Sequence, residues 1–251
     1  MKIKKYLPAL ILTGAILIIW QVYASSGLIS QRVLPPPSLI FRALGDARSV
    51  IAGHAVVTTL EILAGFIISI LFAVASATII FLSSPIKKAL YPLLVASQTI
   101  PVIALAPLLL IWFGFGIGPK IIVIVIYSFF PIAVALADGL ASTPKHLVDY
   151  MKSQGASRWQ ILRLVNYPAA LDKFFIGLKI GAVYAVTGAI VGEFVGAYKG
   201  LGVYLQSSAY SYATARVFAV IFVVMLIAFA LLAVIFLVQK LTMPWKRSEA
   251  K

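Results

Sequence analysis

Two carboxylates, Glu61 in "VTTLEILAGF" and Glu193 in "AIVGEFVGAY", stand within long apolar runs. An ionisable side chain in such a setting is costly. It defaults to a role in moving a solute or ion, or to a local structural pairing. Both readings stay open for each residue, and Glu193 is also near enough to the outer end of its run to be solvated. A second polar feature is "SQTIPVIALAP", where Gln98 and Thr99 lie beside Pro101. Pro101 cannot donate to the carbonyl of Ser97, and Pro107 leaves that of Ile103 free. Carbonyls released at that depth must be met by protein or by a water-filled cavity. Gln98, Thr99, Pro101 and Glu193 are therefore the candidate pathway residues, against the competing reading of a kinked packing helix.

Other chemistry is excluded. The chain has no cysteine and two histidines, His54 and His146, in different segments. Thiolate zinc sites, disulfides and histidine-based metal or catalytic clusters are not expected. No nucleophile, base and orienting group assemble into a hydrolase pattern. No G-x-x-x-x-G-K-[ST] occurs, and "GFGIGPK" reads as a turn between helices rather than a phosphate loop.

The elements that must position these residues are membrane helices. Hydrophobic residues make up 62% of the chain and charged residues 11%, far from the balance of a soluble domain. A spanning helix needs about 20 apolar residues, and six runs qualify: 7–23, 56–82, 89–113, 121–140, 170–195 and 217–238. The fold class is all-α integral membrane protein, one transmembrane domain over 1–251. The first run has lysines before it and small residues near Ala24, as a signal peptide would, but its core is long and it reads as a retained helix. The net charge of +14 is spread between the apolar runs instead of forming one patch, which argues against nucleic acid. With the N-terminus inside, thirteen Lys/Arg fall on inside segments and six, Lys120 among them, outside. That bias predicts cytoplasmic termini and a cytoplasmic loop over 141–168.

Between the first two spans, "VLPPPSLIFRAL" stops one helix, and Ser38 is placed to cap a new one along the outer interface; a plain connector is the alternative. In the fifth span Gly177, Gly181, Gly188, Gly192 and Gly196 recur every three to four residues, with Ala185 filling one gap. Small residues on one face let helix backbones approach closely in lipid, where dispersion replaces the hydrophobic drive. This helix belongs at the centre of a bundle, within the chain or against another copy.

The cytoplasmic loop carries "DYMKSQGASRWQILRLVNYPAAL", Asp149 to Leu171, charged between two oily spans. Gly155 breaks it into two short helices, because glycine is unfavourable within one. Val148, Met151, Gly155, Trp159 and Leu162 follow helical spacing and could face a partner's groove.

This stretch resembles the cytoplasmic loop of bacterial ABC importer permeases, whose pattern is Glu-Ala-Ala, three residues, Gly, nine residues, Ile-x-Leu-Pro. Gly155 takes the glycine place and Val165-Asn166-Tyr167-Pro168 the closing place, with Asp149-Tyr150-Met151 where Glu-Ala-Ala is usual. The resemblance runs from about Leu34 to the end of the sixth span. "SQTIPVIALAPLLLIWFGFGIGPK", "FFPIAVALADGL" and "VGEFVGAYKGLGVYL" are similar to the nitrate/sulfonate/taurine branch, which includes permeases for thiamine-precursor pyrimidines and riboflavin.

What the resemblance implies is a half-channel in a bacterial or archaeal cytoplasmic membrane. A second copy pairs with it, two ATPase subunits dock beneath, and an extracytoplasmic binding protein delivers a small organic solute. ATP and Mg²⁺ would sit on the ATPase, with no cofactor and no catalysis in this chain. Asp149, Met151, Gly155, Ala156, Ser157, Trp159, Leu162 and Pro168 would form the surface that couples to the ATPase. The alternative is an ion-gradient-driven secondary transporter, which would typically show internal repeats and central charges; the two halves show no convincing repeat.

Overall fold

The computed structural model describes residues 3–97, 99 and 101–244. Among them it contains helices and no strand. Five helical stretches are long and apolar enough to cross a membrane: Leu7–Ser25, Arg48–Leu82, Ile117–Ala141, Arg158–Gly196 and Thr214–Thr242. The chain divides into two compact units, residues 1–57 with 198–225, and residues 58–197 with 226–251.

The first unit holds α1 (Ile3–Ser25), α2 (Pro37–Asp46), the start of α3 (Arg48–Leu82), α10 (Leu201–Tyr210) and the start of α11 (Thr214–Thr242). The helix expected after the proline run is present, but Ser38 is not its cap. Pro36 is the N-cap and Pro37 opens the first turn, where a missing N–H costs nothing. The Ser38 N–H is an orphan donor of that first turn. Gln21 of α1 accepts from it at 3.0 Å, while the Gln21 amide donates to Ser38 Oγ at 3.0 Å. One glutamine thus ties α1 to α2 and does the capping. In the same unit the His54 ring accepts from the Gly200 N–H at 3.0 Å and stacks on Tyr204. Gly200 has φ +146°, a conformation that favours glycine.

The second unit carries the rest of α3, then α4 (Ser84–Ser97), α5 (Val102–Phe113), α6 (Ile117–Ala141), α7 (Lys145–Ser153), α8 (Arg158–Ile161), a π-turn over Leu162–Asn166, α9 (Tyr167–Gly196) and the remainder of α11. Its centre is α6 against α9, and the glycine face of α9 is what allows the contact. A Cβ on Gly177 would lie 2.9 Å from the Pro131 carbonyl oxygen. One on Gly181 would lie 3.1 Å from that of Ser128, and one on Gly188 would lie 3.1 Å from Ile124 Cα. One on Gly192 would lie 3.3 Å from Lys120 Cα, and Gly196 meets the Leu110 side chain. The stripe therefore packs within the chain.

Expected boundaries move, the start of the second span from residue 56 to Arg48 among them. The run 89–113 is two helices, α4 and α5, with Pro101 as the N-cap of the second. Alone, α5 is about 18 Å long, short of a bilayer's hydrocarbon core. The fifth span starts well before residue 170, because Arg158 to Gly196 is one continuous helical run. Pro168 does not close the loop; it lies in the first turn of α9. Just before it, the Tyr167 N–H bonds the Leu162 carbonyl five residues back. This wider turn makes room for a ring that would otherwise crowd the carbonyl four residues earlier.

Candidate functional site

The loop predicted to meet a partner is a helix, a hinge and a second helix start. Helix α7 ends in a reciprocal pair of backbone bonds: Gly155 N–H to Lys152 O at 2.9 Å, and Ala156 N–H to Met151 O at 3.0 Å. Gly155 has φ +77°, so this is the left-handed stop that glycine provides. Two residues later Ser157 opens α8. Its hydroxyl accepts from the Gln160 N–H at 3.3 Å, and the Gln160 side chain accepts from the Ser157 N–H at 2.7 Å. The sequence carries the signal for this box, Ser157-x-x-Gln160. The hinge between two fixed helix ends is therefore short and well defined.

The side chains around it do not form the single stripe expected. Leu162 is 1% exposed and packs in a core cluster with Ala77, Leu136, Leu140 and Ala170. It is not available to a groove. Val148 and Met151 are half-buried. The exposed apolar groups include Leu147 and Tyr150 on α7, Trp159 on α8 and Leu164 in the π-turn, with Tyr150 64% and Trp159 62% exposed. Asp149 lies 3.5 Å from Lys152, both well solvated, a pairing worth little energy. Periodicity failed here because the left-handed turn at Gly155 resets the helical phase. A stripe projected from Val148 through Leu162 crosses that reset.

Three of the four candidate pathway residues, Thr99, Pro101 and Glu193, lie among the described residues. Gln98 lies outside the described residues. Thr99 and Pro101 are exposed, and the Thr99 hydroxyl turns back onto the Ala96 carbonyl at 2.8 Å. Glu193 is 1% exposed within α9 and accepts a hydrogen bond from Thr58 of α3 at 2.6 Å. It is not solvated.

One turn along α3, Glu61 is 2% exposed and forms a buried ion pair with Lys120 of α6. Lys120 is therefore a bundle-interior residue, not one of the outer-loop lysines, and Glu61 serves local pairing. Thr58, Glu61, Lys120 and Glu193 tie α3 to both α6 and α9 by polar contacts in the same unit where glycine packing joins α6 to α9. Sequence reading missed Lys120 because it follows "GFGIGP" and looks like loop. The usable signal was Glu61 itself, since a buried carboxylate requires a cation or donors nearby. Among the described residues the second oxygen of Glu61 has no hydrogen-bond partner.

The chain is similar to known proteins. A family model described as "Binding-protein-dependent transport system inner membrane component" matches residues 65–247. A probable ABC transporter permease protein of Haemophilus influenzae is 41% identical, with 80% of this chain and 82% of that protein covered. A formylaminopyrimidine transport permease protein of Halalkalibacterium halodurans is 35% identical, over 93% of this chain and 94% of that protein. Among solved structures, an amino acid ABC transporter with histidines superposes with a TM-score of 0.61 at 17% identity, covering 80% of this chain and 96% of that one. That last likeness speaks for the fold alone.

Proposed function

Because the chain belongs to the family of binding-protein-dependent transport system inner membrane components, and is thus an ABC importer permease subunit, we propose that residues 141–168 are the surface through which a separate ATPase drives it. The observation that carries this reading is the hinge at Gly155. Two helices meet there at a fixed left-handed turn, and Leu147, Tyr150 and Trp159 are exposed around it. Exposed aromatics flanking a rigid turn suit insertion into a groove on a partner, where buried aromatic anchors carry most of the binding energy. ATP and Mg²⁺ would be held by that partner, since this chain has no P-loop.

Two copies would pair around the solute route, with the Thr99–Pro101 break facing it. An extracytoplasmic binding protein would supply the solute, and both termini would be cytoplasmic. The identity shared with the formylaminopyrimidine permease supports a small heteroaromatic vitamin precursor as the solute. An organic sulfonate or nitrate-type anion is the competing class. In proteoliposomes holding the whole complex, uptake of labelled formylaminopyrimidine should exceed that of taurine; the reverse order would overturn the heteroaromatic choice.

Docking is tested by cysteine crosslinking, for which the cysteine-free chain is suited. A cysteine at Ala156 or Ser157 should crosslink efficiently to one placed along the ATPase groove, with a yield that changes with nucleotide. Absence of any crosslink from every groove position would reduce the loop to a linker.

A further inference from the structure

A cleft with a volume of about 340 Å³ opens where the end of α3, the end of α6 and the hinge helices converge. Phe81, Leu140 and Ile161 line its apolar wall, and Lys152 and Arg158 contribute its cations. Asn166, the last residue of the π-turn, lines it too and is only 4% exposed. Its side chain lines the cleft and is not among the described polar groups sealed from solvent without a partner. No carboxylate lines the cleft. The nearest acid recorded on its cations is the solvated Asp149 beside Lys152. π-turns occur often at functional sites, and here the turn sets an amide into a cleft carrying two positive charges.

We propose that this cleft binds a phosphate-bearing anion, either the phosphodiester headgroup of an anionic phospholipid or a free phosphate ester. Arg158 offers a planar fork and Lys152 a compact charge, the two ways in which side chains hold phosphate oxygens. The Asn166 amide donates to an oxygen that enters more deeply, and the apolar wall receives the glycerol or acyl portion. The lipid source rests on reading the 141–168 loop as flanking the membrane, whereas the anion site itself does not.

The test uses the full chain purified in uncharged detergent. Short-chain phosphatidylglycerol, short-chain phosphatidylcholine and glycerol phosphate are titrated, and the shift in Tm is followed. Phosphatidylglycerol should raise Tm saturably and phosphatidylcholine should not. Arg158→Gln and Lys152→Gln should each weaken apparent affinity by about ten-fold. Asn166→Asp, which places a like charge in the cleft, should abolish binding. If glycerol phosphate binds as well, with the same sensitivity to the variants, the source is a free ester; if only the lipid binds, it is a headgroup. Should Asn166→Asp fail to fold, the two exposed positions still decide. The site is refuted if both Gln variants keep affinity within about two-fold, if phosphatidylcholine binds equally, or if no phosphate compound binds.

Discussion

Replacing Lys120 by methionine removes one charge from a buried pair and little volume. Lys120 is 8% exposed, and Gly192 holds the α9 backbone so close that a Cβ there would lie 3.3 Å from Lys120 Cα. The site has little room to relax, and among the described residues the second oxygen of Glu61 already lacks a partner. Lys120→Met therefore leaves a carboxylate buried without compensation, which typically costs about 3–5 kcal/mol. That is a large share of a domain stability of about 5–15 kcal/mol. Equilibrium unfolding in mixed micelles of rising SDS content measures the loss, with exposed Lys88→Met as control, expected within about 0.5 kcal/mol of the parent. The double variant Glu61→Leu/Lys120→Met should recover most of the loss, since an apolar pair can replace a buried ion pair nearly neutrally. A Lys120→Met loss no larger than the control's, or a double variant weaker than either single, would show that the pair is not what holds α3 to α6.

Other substitutions probe separate features. Gly177→Val should destabilise by about 1–3 kcal/mol through overpacking against the Pro131 carbonyl and Ile132, read in the same SDS titration. Ser157→Ala removes the capping box at α8 and should cost about 1 kcal/mol, seen as faster amide exchange over residues 158–161 with no change in α7. Gln98→Leu should lower uptake while ATPase assembly persists; normal uptake at normal expression would return that segment to a packing role. Ser157→Cys should resist an impermeant thiol reagent added outside intact cells, as a cytoplasmic loop requires.

Much of this architecture could be read from residue types alone, where one physical cause dominates. Glycine at helical spacing has few uses in lipid besides close packing, so the α9 face was legible; its partner was not, because α6 carries no matching stripe of small residues. The Pro101 break was legible because proline lacks a donor. The extra turns of α3 before residue 56 were not, since Arg48 and His54 depress hydropathy while the backbone stays helical. Lys120 and Leu162 were misplaced for related reasons. A charge beside Gly-Pro reads as loop until its carboxylate partner is known, and a helical stripe holds only while the helix does. Asn166 carried no signal that could have separated it from an ordinary polar loop residue.

If residues 141–168 dock on an ATPase as proposed, the Gly155 hinge transmits its work to the membrane helices. A Cβ at Gly155 would meet nothing within 4 Å in the chain, so only the left-handed backbone penalises a side chain there, by about 1–2 kcal/mol. Gly155→Ala and Gly155→Leu share that local penalty, whereas leucine alone adds bulk toward a docked partner. The decisive measurement is solute imported per ATP hydrolysed by the complete complex in proteoliposomes, compared for the two variants at matched membrane insertion. Leucine should abolish or uncouple uptake far more than alanine does. Full uptake per ATP in Gly155→Leu would contradict the claim.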